Sequence, residues 1–313
     1  MIESYDIAMA GGGACGGCVR APFGYYGAKG RIAKRIVSML PPHNAWVEGF
    51  CGSAAITLAK PPALIEVIND RDDQIVNVFE QLRNNSEALC RAVALTPYAK
   101  REFEVARTLG NGGVGLEKAR RFLVATMMTV NATFGTARSG FSFSQSYSRE
   151  KKEARVSRWY NLPERLQAVV ERLRRIRVEN RDARELIAMF SNRPATLMYL
   201  DPPYFIEREH EYVVDANYKE FHEELLRGCL NAKCMIMISG YDNELYNALL
   251  TRKRGWSKAK IETHTRDTNG RDYARTEVLW TNGRYAKARK DGKVPIRLSA
   301  KERAENKVNP SRK

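Results

Sequence analysis

An apolar run, Leu197-Met198-Tyr199-Leu200, breaks off at Asp201-Pro202-Pro203-Tyr204. Proline has no N–H to give to a sheet ladder, so a strand over 196–200 must stop there. Both prolines also fix φ, which makes the following turn stiff. A strand ending on a rigid turn that carries a carboxylate and an aromatic ring narrows the choice of fold. Such ends line the ligand crevice of open α/β sheets.

The rest of the chain supplies the matching alternation. Residues 29–40 set Ile32, Ile36, Val37 and Leu40 on one helical face. A short strand follows at 45–48, then "GFCGSAAITLA", a glycine turn opening a helix. "PALIEVIND" reads as a strand ending at Asn69-Asp70, and "DQIVNVFEQLRN" as the next helix. Later come a helix over 163–175, the strand "IRVEN" running on to Asp182, a helix over 184–190, and strands at 196–200, 234–240 and 277–282. This order predicts a parallel, nucleotide-binding α/β sheet with helices on both faces. The pattern changes over 97–160, which reads as two helices and a hairpin or loop rich in Gly, Ser and aromatics. We therefore expect a sheet domain from 21–96 and 161–283, interrupted by an insert at 97–160. A glycine-rich leader at 1–20 and a basic tail at 284–313 lie outside it, both expected to be mobile.

Charge points to the partner. The chain carries 52 Lys+Arg against 36 Asp+Glu, a formal +16. The tail alone has eleven Lys/Arg against three Asp/Glu. A surplus of that size suits a polyanion, most simply nucleic acid. Cys15 and Cys18 have CxxC spacing, but no second pair follows and the four histidines show no ligand spacing, so no metal site is expected. Scattered thiols, no apolar run long enough to span a membrane and no secretion signal suggest a reducing cytoplasm.

Four features fall at the expected carboxyl ends of strands. Gly49 and Gly52 would let backbone approach a ligand, although a plain tight turn reads equally well. Asp70 could bond ribose hydroxyls or cap the next helix. Asp182 could likewise be only a cap. The Asp201 turn is more specific. Making an exocyclic amine of a base nucleophilic means drawing its lone pair out of ring conjugation. A carboxylate accepting one N–H and a carbonyl accepting the other favour that geometry. Asp201, the Pro202 carbonyl and a stacking Tyr204 meet the requirement.

Together these residues resemble the Dam-like adenine-N6 DNA methyltransferases over roughly residues 22–283. "DPPY" resembles the family's catalytic motif. "GYYGAKGRIAKRIVSMLP" resembles its N-terminal segment, which implies cofactor contacts from Tyr25 and Lys29. "VEGFCGSAA" resembles the cofactor loop and implies Glu48, Phe50 and Gly52. "VINDRDDQIVNVFEQLR" implies Asp70 as the ribose ligand, and "ENRDARELI" implies Asp182 at the cofactor's adenine, with Asp201 also beside the cofactor. "FLVATMMTVNATFGTARSGFSFS" looks like the recognition insert, with Arg138, Ser139 and Phe141 toward DNA. The sequence departs from the family pattern at Gly24, Ala28, Gly49, Ala54 and Arg181.

The resemblance implies a Rossmann-like class I methyltransferase sheet, S-adenosylmethionine as cofactor, double-stranded DNA as substrate and a flipped adenine as target. A cognate restriction endonuclease is a further partner the family allows. Arg138 could read a base edge or touch only phosphate. Two other readings stay open: a cytosine-N4 methyltransferase, whose turn more often starts with Ser, and a DNA-binding protein with a decayed pocket. Removing residues 284–313 should flatten the salt dependence of DNA binding if the tail supplies non-specific affinity.

Overall fold

The computed structural model describes residues 18–24, 29–108, 115–130, 140–144, 146, 151, 153–204, 219–266 and 272–296. The leader residues 1–17 (with Cys15) and Tyr25, Arg138 and Ser139 lie outside them.

Seven strands form one sheet in the order β3-β2-β1-β4-β5-β7-β6. They are β1 (Ala45–Glu48), β2 (Ile65–Asn69), β3 (Ile176–Glu179), β4 (Thr196–Leu200), β5 (Met235–Gly240), β6 (Trp256–Arg266) and β7 (Asp272–Asn282). The first five run parallel, and β7 is antiparallel between β5 and β6. Chain order reverses between the central pair β1 and β4, so the crevice at a topological switch point opens above their carboxyl ends.

The central strands are apolar at nearly every position because both faces are covered. β1, β4 and β5 are buried throughout. Period-2 alternation divides their side chains. Val47, Met198, Leu200, Ile236, Ile238 and Trp280 share one core with α9 (Ala183–Phe190), α10 (Lys219–Leu230) and α11 (Glu244–Leu249). Trp46, Leu197, Tyr199, Met235, Met237 and Leu279 share the other with α1 (Ala33–Val37), α2 (Ala55–Ala59) and α12 (Gly283–Asp291). A third core joins Ile68 and Ile176 to α3 (Asp73–Asn84), α4 (Ser86–Leu95), α5 (Lys100–Thr108), α6 (Leu116–Met127) and α8 (Leu162–Leu173). Preceding α8 is α7 (Ala154–Tyr160), whose Trp159 is buried there and donates its indole N–H to the Thr96 carbonyl at 2.7 Å. The 97–160 segment thus shares its apolar core with helices on either side of it in the chain. No helix among the described residues is long and apolar enough to cross a membrane.

Three expectations need correction. The helix foreseen over 29–40 is a 3-10 turn at Lys29–Arg31 followed by the short α1. The last strand is longer than 277–282, and it pairs with β6, an edge strand that exposes Ser257, Lys258, Ala259 and Lys260, as edges tend to. The basic tail does not begin at 284. Residues 283–291 form α12, capped by the Asn282 side chain, with Tyr285 and Ala288 buried. The Tyr285 hydroxyl donates to the Met39 carbonyl and clamps α12 to the chain after α1. A tail deletion meant to probe DNA affinity must therefore start beyond Gly292. Replacing Tyr285 with Ala should cost about 3 kcal/mol, the usual loss for a buried aromatic. Urea unfolding measures it, and a cost below about 1 kcal/mol would mean α12 is not docked.

Candidate active site

Two groups of side chains meet at the carboxyl edge of the sheet. The first is built on the ends of β1 and β2. Gly49 leaves β1 so close to β4 that a Cβ there would lie 2.7 Å from Leu200 Cδ2. Its N–H donates to the Tyr199 carbonyl at 3.0 Å. Gly52 then turns left-handed with φ 48°, as does Ala54 with φ 53°. Asp70 fixes this loop, its carboxylate accepting from the Gly52 N–H at 2.8 Å and the Asp72 N–H at 3.0 Å. Burial pushes the Asp70 carboxyl up to about 6, against the lowering effect of those two N–H groups. The choice left open in the sequence is decided on one side: the cap of α3 is Asp72, which accepts from the Gln74 N–H, and not Asp70.

Asn69 is a structural member of this edge that the sequence reading missed. Its Nδ2 donates to the carbonyls of Gly49 and Arg181 at 2.9 and 3.0 Å, and its Oδ1 accepts from the Arg181 N–H at 2.9 Å. One amide therefore ties the exits of β1, β2 and β3 together. Asp182 lies just beyond. It caps α9 through the Arg184 N–H, and the Arg184 guanidinium engages both of its oxygens. Those bonds hold the Asp182 carboxyl below its ordinary range. Glu48 is buried at the end of β1, where its Oε2 accepts from the N–H and hydroxyl of Thr57 in α2. Phe50 packs edge-on against Phe221 with centroids 6.3 Å apart.

A nucleoside-bearing cofactor fits this donor set. A carboxylate at the end of β2 keeps lone pairs beyond the two N–H groups it holds, and can accept from ribose hydroxyls. Gly52 leaves backbone open to close approach, whereas Gly49 is a glycine because Leu200 fills the space of its Cβ.

The second group is centred on Lys29. Its Nζ lies 2.9 Å from Asp201 Oδ1 and 3.4 Å from Glu277 Oε1. It also bonds the Tyr204 hydroxyl and lies 4.8 Å from that ring's centroid. Tyr204 donates in turn to Glu277, with its hydroxyl oxygen 2.9 and 3.1 Å from the two carboxylate oxygens. Ser239 of β5 donates to Asp201 Oδ1 at 2.8 Å and bonds Tyr199 at 2.9 Å. Burial alone would lower the Lys29 pKa. The charges of Asp201 and Glu277 outweigh burial and raise it, so the ammonium stays charged. Burial lifts the Glu277 carboxyl, opposed by Lys29 and reinforced by Asp201.

Lys29, Asp201 and Tyr204 are thus brought together, while Glu277, Ser239 and Tyr241 were not foreseen. Tyr241 packs against Tyr204 with centroids 4.3 Å apart. Glu277 gave no signal because an acid inside "EVLWTN" acquires meaning only from strand order. In the antiparallel register Val278 pairs with Gly240, the last residue of β5. The residue before Val278 therefore reaches past the carboxyl end of β5, beside the turn after β4. Phe141 sits elsewhere. Residue 141 bridges to Thr129, and its ring packs against Tyr98 and Phe103 at 5.1 and 5.8 Å.

Burial pushes the Glu48 carboxyl from 4.5 up to about 8 despite its bonds from Thr57. The folded state then binds this proton more tightly than the unfolded chain. Stability from this group is present at low pH and is lost as pH rises through that window. Glu48→Gln keeps an acceptor for Thr57, and urea unfolding at pH ~5 and ~8.5 should show a smaller loss of stability than in the parent. Equal losses in the two proteins would contradict the assignment.

A model of the D12 class N6 adenine-specific DNA methyltransferase family matches residues 25–266. No curated protein matches the chain. Among solved structures, the rRNA methyltransferase aviRa from Streptomyces viridochromogenes is 15% identical, with 88% of this chain and 93% of that one covered and a TM-score of 0.37. A putative RNA methyltransferase from Pyrococcus horikoshii is 7% identical over 80% and 78%, with a TM-score of 0.33. A SAM-dependent methyltransferase from Agrobacterium tumefaciens is 11% identical over 81% and 60%, also at 0.33. The sheet order and the antiparallel β7, rather than these distant likenesses, make the fold an α/β Rossmann-like methyltransferase fold. With the family match spanning most of the chain, the protein belongs to the D12 class N6 adenine-specific DNA methyltransferases, and acts on DNA with S-adenosylmethionine as methyl donor.

Proposed function

We propose that the protein binds double-stranded DNA, turns one adenine out of the stack and methylates its N6 in the pocket around Asp201. The observation that supports this most is the pinned Asp201 carboxylate, held by Lys29 and Ser239 at the end of β4. S-adenosylmethionine supplies an electrophilic methyl group on a sulfonium. Glu48, Phe50, Gly52 and Asp70 would hold this cofactor, with Asp70 toward ribose hydroxyls. In this reading Tyr25 and Asp182 also serve the cofactor side, and Asp182 must exchange part of its Arg184 contact to do so.

A carboxylate has about four acceptor sites, of which Ser239 and Lys29 use two on Oδ1. The remainder accept one N–H of the adenine amine, and the Pro202 carbonyl accepts the other. Both acceptors sit on a turn whose prolines cannot move in φ, so little reorganisation is needed when the amine arrives. The amine nitrogen becomes more tetrahedral and its lone pair more available. That nitrogen would take the methyl group the bound cofactor supplies, and the amine proton would leave afterwards to Asp201 or water. Tyr204 walls the pocket. Its hydroxyl is anchored by Glu277, which keeps the ring in place to stack on a base. Flipping costs a few kcal/mol, which contacts to the displaced base and backbone must offset.

Arg138, Ser139 and Phe141 are assigned to the DNA side with the 97–160 segment, and the cytoplasm is the assigned location. A restriction endonuclease sharing the site would be a natural partner, since N6 methylation alters the major-groove edge of adenine.

Asp201→Asn keeps the shape and removes the charge. It should lower kcat by about 10²–10³-fold, the usual effect of deleting a preorganised electrostatic partner, and leave the Kd for duplex DNA unchanged. Single-turnover methylation and DNA binding measured on the same preparation test this. A kcat near that of the parent would remove Asp201 from the chemistry.

A further inference from the structure

Two arginines converge on one sulfur. Arg158 of α7 and Arg165 of α8 place their Nη2 atoms 3.6 and 3.8 Å from Met127 Sδ, at the end of α6. A thioether is a weak acceptor and compensates neither charge. Arg165 also donates to the Pro22 carbonyl at 3.2 Å, and its Nε is buried without a partner. Arg155 lies one turn before Arg158 on α7, and Arg20 stands two residues before Pro22. Among the described residues none of these four arginines has a carboxylate partner.

This protein pairs its other enclosed arginines. Arg172 bonds Glu66, and Arg120 bonds both Glu117 and Glu102. Burial, then the charges of Arg158 and Arg20, push the Arg165 guanidinium down to about 10. Like charges gathered without a counter-charge are costly unless an anion joins them. The place is also suggestive. Phe23, next to Pro22, packs on Phe79 and Phe122, and the chain then leads to Lys29 in the catalytic cluster. Met127 lies two residues before Thr129, which bridges to Phe141.

We infer that Arg20, Arg155, Arg158 and Arg165 form a clamp for a phosphodiester of the DNA backbone, between the N-terminal segment and the helices α6, α7 and α8. The clamp rests on the reading of DNA as substrate and adds a sequence-independent contact to it. Guanidinium groups suit the role because their forked N–H groups match two phosphate oxygens. Arg158 and Arg20 are exposed, so a phosphate can reach the group, while half-buried Arg165 supplies a fixed charge behind them.

The test is binding of a labelled duplex by fluorescence anisotropy across a KCl series, for the parent, Arg158→Gln, Arg165→Gln and the double variant. The double change should make the slope of log K against log salt shallower by about 1, the share of one phosphate, and each single change by a part of that. In methylation assays the KM for DNA should rise ~5-fold per arginine at about 0.15 M salt, with kcat at saturating DNA retained. Arg165→Lys should keep the parent slope. Should Arg165→Gln fail to fold, Arg158→Gln carries the test, since Arg158 is on the surface. Unchanged slopes in variants that still methylate DNA would overturn the clamp alone. A parent protein that methylates no DNA would instead overturn the functional reading. If millimolar inorganic phosphate stabilises the parent but not Arg165→Gln while DNA slopes stay equal, the site takes free phosphate and the DNA clamp is wrong.

Discussion

One buried ammonium organises the charged cluster at the end of β4. Lys29 lies between the carboxylates of Asp201 and Glu277, and neither a lone lysine nor two adjacent acids would tolerate burial there without it. The arrangement needs three distant pieces of chain: the 3-10 turn at 29–31, the turn after β4 and the middle of β7. Only the strand order β4-β5-β7 brings the last two together, with Ser239 of β5 filling the gap between them. The sheet is therefore more than a platform for the site. Its antiparallel last strand brings the acid Glu277 to the carboxyl edge, beside Lys29 and Tyr204, where a fully parallel sheet would not have placed it.

The same edge shows how backbone and side chain share the work of preorganisation. Asp70 and Asn69, consecutive residues, spend their polar groups on backbone partners in the glycine loop and the β3 exit. Such bonds hold the loop in a left-handed turn that L-residues avoid, including Ala54. A carboxylate occupied in this way still has lone pairs for a ligand, so loop support and ligand contact do not exclude one another. Asp182 is different, because Arg184 engages both of its oxygens.

Much of this was legible from residue order. The sequence pattern marks β4 over the residues it occupies, and α3 over Asp73–Asn84, because both carry unbroken apolar patterns set off by sharp stops. Other elements were hidden for physical reasons. β6 carries little apolar signal, because Ser257 through Lys260 are exposed and Trp256 and Ile261 face different cores. α12 docks through only two buried residues, Tyr285 and Ala288, within a stretch whose charge reads as a solvated tail. Asp70 and Asp72 are two apart, and spacing alone cannot say which caps and which supports the loop. Glu277 and Asn69 were invisible because their roles arise from strand neighbours far away in sequence. The motif around Lys29 implies a cofactor contact, whereas its described partners are the acid and tyrosine of the Asp201 turn and Glu277 of β7.

The identity of the methylated atom tests the central claim most directly. Duplex DNA of mixed sequence, incubated with methyl-labelled S-adenosylmethionine and digested to nucleosides, should yield label in N6-methyldeoxyadenosine. Label in N4-methyldeoxycytidine would mean that the pocket around Asp201 accepts a different base. DNA that is bound but carries no label would mean that the charged cluster at the end of β4 does not perform methyl transfer.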